Sequence, residues 1–249
     1  MSIFHHKKTV HSASVSMIGT REINEDKVCV LEQGDRYCFA VCDGLGGHGL
    51  GEVASEIAVE TFTRNFDSSG KEREFLSRVM DEAQETLLAE QRKINAPSKM
   101  KTTCAAVYIS NGRAYIGHIG DSRVYVIDSK GIRSRTIDHS VTQMLVLSGE
   151  IEESEIRNNP ERNTLLRVMG VEWDRPMYDL SAPISLSKTK AFLLCSDGFW
   201  ELVSDEDIER TFFESESPEE WLSQMEEIIL ENGAEKKMDN YSAVAVWIE

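Results

Sequence analysis

The chain has 249 residues, a formal charge of -16 and a sequence pI near 4.9. So acidic a surface argues against tracking nucleic acid or anionic lipid, whose phosphates need neutralising Lys and Arg. The length suffices for a sizeable core, and residues 1–249 read as one domain with no repeat, low-complexity tract or linker.

In chain order, short strands are predicted at 10–17, 27–32 and 37–42, with Gly34-Asp35 turning between the last two in an antiparallel opening. A helix follows over 51–66, because Val53, Ala54, Ile57, Ala58, Thr61, Phe62 and Phe66 share one face. A second runs from Lys71 to about Arg92 on Leu76, Val79, Met80, Ala83 and Leu87. Four strand-like runs follow at 102–110, 113–118, 123–127 and 132–137. Their links, Asn111-Gly112, Gly120-Asp121 and Lys130-Gly131, are too short for parallel crossovers, so the region reads as an antiparallel meander. A short apolar helix at 141–147 precedes a charged, Pro160-containing stretch over 150–163, which reads as a mobile surface excursion or, alternatively, as part of an ordinary solvated helix pair. Ser217-Pro218-Glu219-Glu220 starts a helix that buries Trp221, Leu222, Met225, Ile228 and Ile229, and a strand at 242–248 closes the pattern. Strand runs broken by helix pairs indicate an α+β protein with antiparallel sheets covered by helices.

The five cysteines lie in apolar, strand-like runs without a CxxC pair, which reads as buried, reduced thiols. No apolar segment approaches a membrane span, and Met1–Lys8 lacks a signal-type apolar core, so a soluble cytoplasmic protein is expected. His5 and His6 read as a frayed end rather than a metal pair.

The chemistry sits in four aspartate motifs: Cys42-Asp43-Gly44, Gly120-Asp121-Ser122-Arg123, Ser196-Asp197-Gly198 and Asp239-Asn240. Apolar strands ending in Asp-Gly project a carboxylate from a rigid element, and the glycine lets an ion or phosphate approach the backbone. Any one of them could be a simple turn. Together they read as hard oxygen ligands for Mg²⁺ or Mn²⁺.

These motifs, with Gly19-Thr20-Arg21-Glu22-Ile23-Asn24-Glu25-Asp26, Asp43-Gly44-Leu45-Gly46-Gly47-His48 and Asp138-His139-Ser140, follow the order and rough spacing of the type 2C metal-dependent protein phosphatases. The chain resembles the compact bacterial serine/threonine branch over nearly its full length. The resemblance implies a four-layer α/β/β/α sandwich, two antiparallel β-sheets flanked by helices, with the metal centre at one end between the sheets. It also implies that Asp43 bridges two Mn²⁺ or Mg²⁺ ions, with Glu25 and the Gly44 carbonyl completing one and Asp197 and Asp239 the other. Asp26 would act through bound water. Asp121 and Asp197 would serve a weaker third cation whose further acid is here the longer Glu201. A water shared by two cations is acidified enough to attack phosphorus in line, and Arg21 would hold the phosphoryl oxygens through its planar fork.

Where many eukaryotic members carry a histidine proposed as the proton donor, this chain has Leu45, so a metal-bound water is the expected proton source. His48 is expected to serve the glycine turn, His139 a turn after Asp138, and His118 the core, while Ser122 and Arg123 position the Asp121 loop. Implied partners are phosphoproteins, with a serine/threonine kinase or its targets opposite; a monomer is expected, and residues 141–170 take the place of the family's flap. Two rivals exist. Gly44-x-Gly46-x-x-Gly49 with Asp67 matches a dinucleotide fingerprint, but no parallel strand returns and Asp43 would repel a pyrophosphate. A catalytically silent phosphoprotein-binding member would typically have lost a metal acid, and here all four are present.

Overall fold

Runs that are apolar at nearly every position need cover on both faces, and residues 37–42, 104–110 and 191–195 are buried throughout. The computed structural model describes residues 8–66 and 74–249, with His48 as backbone only. His5, His6, Asp67 and the predicted helix start at Lys71 lie outside the described residues. Five principal strands form one sheet: β1 (Val10–Met17), β6 (Arg123–Asp128), β7 (Gly131–Arg135), β10 (Thr189–Cys195) and β11 (Tyr241–Ile248), in the order β1-β11-β10-β6-β7. The other holds β2 (Asp26–Gln33), β3 (Arg36–Asp43), β4 (Cys104–Ser110) and β5 (Arg113–Ile119) in sequence order, with the short β8 (Asp179–Leu180) and β9 (Ile184–Ser185) pairing β5. All pairings are antiparallel.

Side-chain alternation builds the layers. Cys38, Ala40 and Cys42 of β3 pack under α1 (Gly51–Phe66) and α2 (Phe75–Lys93), whereas Tyr37, Phe39 and Val41 meet Val124, Phe192, Leu194 and Val244 of the opposite sheet. The opposite sheet's outer face, Tyr125, Leu193 and Ala245, packs with α4 (Asp197–Trp200), α5 (Asp205–Glu214) and α6 (Pro218–Gly233). The result is the expected four-layer sandwich. Trp221 and Trp200 anchor the second helical layer, and side chains of this kind, fully buried, each contribute on the order of 2–3 kcal/mol. All five cysteines are buried and free. Ser217 caps α6 as expected, accepting from Glu220 N at 3.1 Å.

Two sequence expectations fail in the same way. The opening strand pairs β11 rather than its successor, and the four-strand meander splits, since β5 and β6 lie in different sheets. The links 18–25 and 120–122 therefore cross between sheets. A three-residue crossing has the composition of a hairpin turn, so sequence does not separate them. The helix α5 and the strands β8 and β9 were likewise not anticipated.

The excursion over 150–163 is also tethered. Ile156 is buried, and Arg157 donates to the carbonyls of Trp200 (3.0 Å) and Val203 (3.2 Å) and to Asp205 Oδ1 (2.8 Å). It follows α3 (Val141–Ser148), which Ser140 caps through Gln143 N at 3.2 Å. No helix among the described residues is long and apolar enough to cross a membrane.

Candidate active site

Both sheet-crossing links and the ends of three strands meet at one end of the sandwich. β3 ends on Asp43, Asp197 opens α4 two residues past β10, and Asp239 precedes β11. Arg21 and Glu25 ride one crossing link and Asp121 the other. These residues and Gly44 wall a cleft of about 340 Å³.

Of the predicted site residues, only Asp26 and Glu201 are absent from its wall. Asp26 stands directly opposite Asp43 in the β2–β3 ladder. Its Oδ2 accepts from Ser196 Oγ at 2.7 Å, and its Oδ1 is buried without a protein partner. Glu201 turns to Arg162, whose Nε donates to Oε1 at 2.8 Å.

The supports are specific. Asn240 Oδ1 accepts from Glu25 N (2.8 Å), while Nδ2 donates to the carbonyls of Ile18 (2.8 Å) and Ile23 (3.0 Å), tying the Arg21 loop to β11. A Cβ at Gly46 would strike the Glu25 carboxylate, so the glycine there makes room for the acid. Thr103 Oγ1 accepts from Asp43 N (3.1 Å) and bonds Ser122 Oγ (2.6 Å), joining the Asp43 and Asp121 loops. Trp200 Nε1 donates to Asp121 O at 2.9 Å, and the Arg123 guanidinium lies 3.5 Å from the Trp200 ring while gripping Asp138 (3.0 and 2.6 Å).

Sequence reading missed Thr103, Asn163 and Leu165 in the wall and the Arg162 contact. Each comes from a segment without local motif character. Arg21 bonds neither Glu22 nor Glu25; its Nη2 meets Asp239 Oδ2 at 2.5 Å. Leu45 lines the cleft where a histidine would stand.

Electrostatically the acids repel one another. Burial, then the charges of Asp197, Asp26 and Asp121, hold the Asp43 carboxyl well above its usual range. Asp121 is raised by burial and by Asp197, and Asp197 by burial and by Asp239. Asp26 is pushed up to about 7, first by burial. Burial and Glu52 raise Glu25, opposed by Arg21 and the backbone N–H of Gly51. Such a cluster is relieved by bound cations. Its oxygen-only donors fit Mg²⁺ or Mn²⁺, and the orphaned Asp26 Oδ1 fits an acid that acts through water.

Converging carboxylates with one arginine, in an open cleft between stacked sheets, define a class: phosphoester hydrolases that work through divalent cations. The protein phosphatase 2C family model matches residues 15–241, and the chain belongs to that family. The serine/threonine phosphatase stp of Listeria monocytogenes (serotype 4b) is 32% identical over 196 residues, covering 76% of this chain and 77% of that protein. The crystal structure of serine/threonine phosphatase Stp1 from Staphylococcus aureus superposes with a TM-score of 0.87 at 28% identity, over 97% of this chain and 96% of that one. The catalytic domain of PstP, solved with two manganese ions, gives 0.80 at 27%, over 97% and 99%. The chain is therefore an enzyme, a protein phosphatase, and the silent and dinucleotide-binding readings give way to catalysis.

Proposed function

We propose that this phosphatase hydrolyses phosphoserine and phosphothreonine in proteins, releasing inorganic phosphate and the free hydroxyl. The convergence of Glu25, Asp43, Asp121, Asp197 and Asp239 around Arg21 in one cleft carries the reading. Glu25, Asp43, the Gly44 carbonyl, Asp197 and Asp239 would hold two Mn²⁺ or Mg²⁺ ions, Asp26 would act through bound water, and Asp121 with Asp197 would serve a weaker third position. When bound, the ions supply positive charge and an acidified water for in-line attack. Asp26, opposite Asp43 in the ladder, is held through Oδ2 by Ser196, which leaves Oδ1 free to accept a hydrogen bond. Glu201, committed to Arg162, is a poor third-position ligand in this arrangement.

With Asp239 engaged by a cation, Arg21, which now pairs that acid, would be free to hold two phosphoryl oxygens through its planar fork. Arg21→Lys is accordingly expected to raise KM for a phosphothreonine peptide about tenfold while Mn²⁺ affinity stays within about twofold. Weakened Mn²⁺ binding with an unchanged KM would make Arg21 a structural partner of Asp239 instead.

Asn163 and Leu165 place the 141–170 segment in the cleft wall, which supports its reading as a flap that biases substrate choice. Exchanging it for a relative's segment is expected to reorder rates across a panel of phosphopeptides; an unaltered order would count against the flap. The enzyme is read as a cytoplasmic monomer opposing a serine/threonine kinase, within a single domain spanning residues 1–249.

The test of the reading as a whole is phosphate release from a phosphothreonine peptide by chelator-stripped protein, with and without added Mn²⁺. Release only with metal supports it, and no release under either condition would restore the silent binding protein.

A further inference from the structure

Outside the cleft, His118, His139 and Asp179 bring three potential ligand atoms within 4.8 Å of one another. The composition suggests a small metal site, but the hydrogen bonds oppose one. Gly120 N–H donates to His139 Nδ1 at 3.2 Å, so that nitrogen carries the lone pair and the ring proton resides on Nε2. Nε2 accordingly faces a carboxylate, Asp179 Oδ2, at 3.2 Å. A metal on Nε2 would force the proton onto Nδ1, against the Gly120 N–H, reversing the usual arrangement in which a ligating histidine donates from its other nitrogen. Arg167 Nη1 lies 3.4 Å from Nε2 and, having only protons to offer, donates to Asp179 Oδ1 at 3.4 Å when Nε2 is protonated, which sets a positive charge where a cation would sit. Burial lowers the basicity of both rings, that of His118 to about 4.

What the two histidines do hold is Gly120. The Gly120 carbonyl accepts from His139 N (2.8 Å) and lies 2.9 Å from His118 Nε2, while its N–H is taken by His139 Nδ1. His139 therefore grips both backbone polar groups of one residue. Gly120 has φ +98°, and a Cβ there would collide with Thr103, so its backbone is held in a conformation few residues adopt. The next residue is Asp121, whose own carbonyl is fixed by Trp200.

We propose that His139 is a positioning residue for the metal centre: its inward Nδ1 lone pair sets where the Asp121 carboxylate enters the cleft, and Asp179 outside locks the tautomer that presents it. This rests on the reading of Asp121 as a cation ligand.

Two conservative substitutions separate the nitrogens. In His139→Asn the side-chain oxygen falls near the place of Nδ1 and can still accept from Gly120, whereas in His139→Gln the polar end reaches the place of Nε2 and the inner acceptor is lost. Both would be titrated with Mn²⁺ by calorimetry in the full chain, beside wild type and Asp121→Asn, with phosphopeptide kinetics in parallel. His139→Gln is expected to reproduce the Asp121→Asn isotherm, with affinity for the affected cation down about tenfold. His139→Asn should stay within about twofold of wild type, and Asp179→Asn should fall between them. Equal impairment of Asn and Gln, or a Gln variant that binds like wild type, would overturn the assignment. So would loss of a bound metal equivalent in Asp179→Asn, which would restore the metal-site reading of the trio. Wild type that binds Mn²⁺ without releasing phosphate would sink the phosphatase reading alone, because the isotherms still decide the role of His139.

Discussion

Asp197→Asn is expected to lower Mn²⁺-dependent phosphate release by about a thousandfold or more, the scale on which removal of preorganised charge stabilisation acts. Asp197 opens α4 at the centre of the cluster, where its charge raises Asp43, Asp121, Asp26 and Glu201. Asparagine keeps an acceptor for Gly198 N, which Asp197 Oδ1 takes at 2.6 Å, so the local turn survives. The same substitution is expected to leave the chelator-stripped protein at least as resistant to urea as wild type, because it removes a repelling charge. Unchanged release would refute the metal assignment. A lower urea midpoint would instead attribute lost activity to misfolding.

Stripped of metal, the protein is expected to lose stability as pH rises from about 5 to 8, the reverse of ordinary acid denaturation. The sign follows from the direction in which the carboxyls are displaced. A carboxyl whose pKa is higher folded than unfolded contributes stability that is full below the unfolded value and is lost as pH passes through the folded one. Asp26 and Glu201 are pushed up to about 7, mainly by burial, and Asp43, Asp121 and Asp197 are also raised. Every tenfold gain in a carboxyl's proton affinity on folding corresponds to about 1.4 kcal/mol, so the cluster's effect is on the order of several kcal/mol. Added Mn²⁺ should oppose the trend, since cations bind the ionised acids more tightly as pH rises. Urea midpoints at several pH values, with chelator and with Mn²⁺, measure both slopes. Stability that climbs through this window in chelator, or a slope that Asp197→Asn leaves untouched, would contradict the account.

The acids were readable because each sits where a pattern changes: Asp43 at the end of an apolar strand, Asp197 after another, Asp239 just before the last. Their convergence was not readable from periodicity. It depends on β1 and β6 leaving their sequence neighbours for the second sheet, and residues 18–25 and 120–122 look like turns whichever sheet they lead to. Stacking came from family resemblance, and the structure supplies its physical basis in the two-sided burial of β3 and β10. Arg162, Asn163 and Leu165 were illegible for another reason. They act from a charged segment whose composition resembles any solvated surface, and tertiary contacts such as the burial of Ile156 and the bonds of Arg157 and Arg162 fix where it lies.

The clasp between Asn240 and the Arg21 loop joins residues more than two hundred positions apart. A ribosome must therefore deliver β11 before β1 has its partner or the cleft its Asp239, and earlier intermediates expose an unpaired strand edge. Loop closure over such a span delays assembly. A chain whose synthesis stops short of Asp239 therefore lacks both a wall residue of the cleft and the partner of Arg21, so the cleft closes only as the last strand arrives.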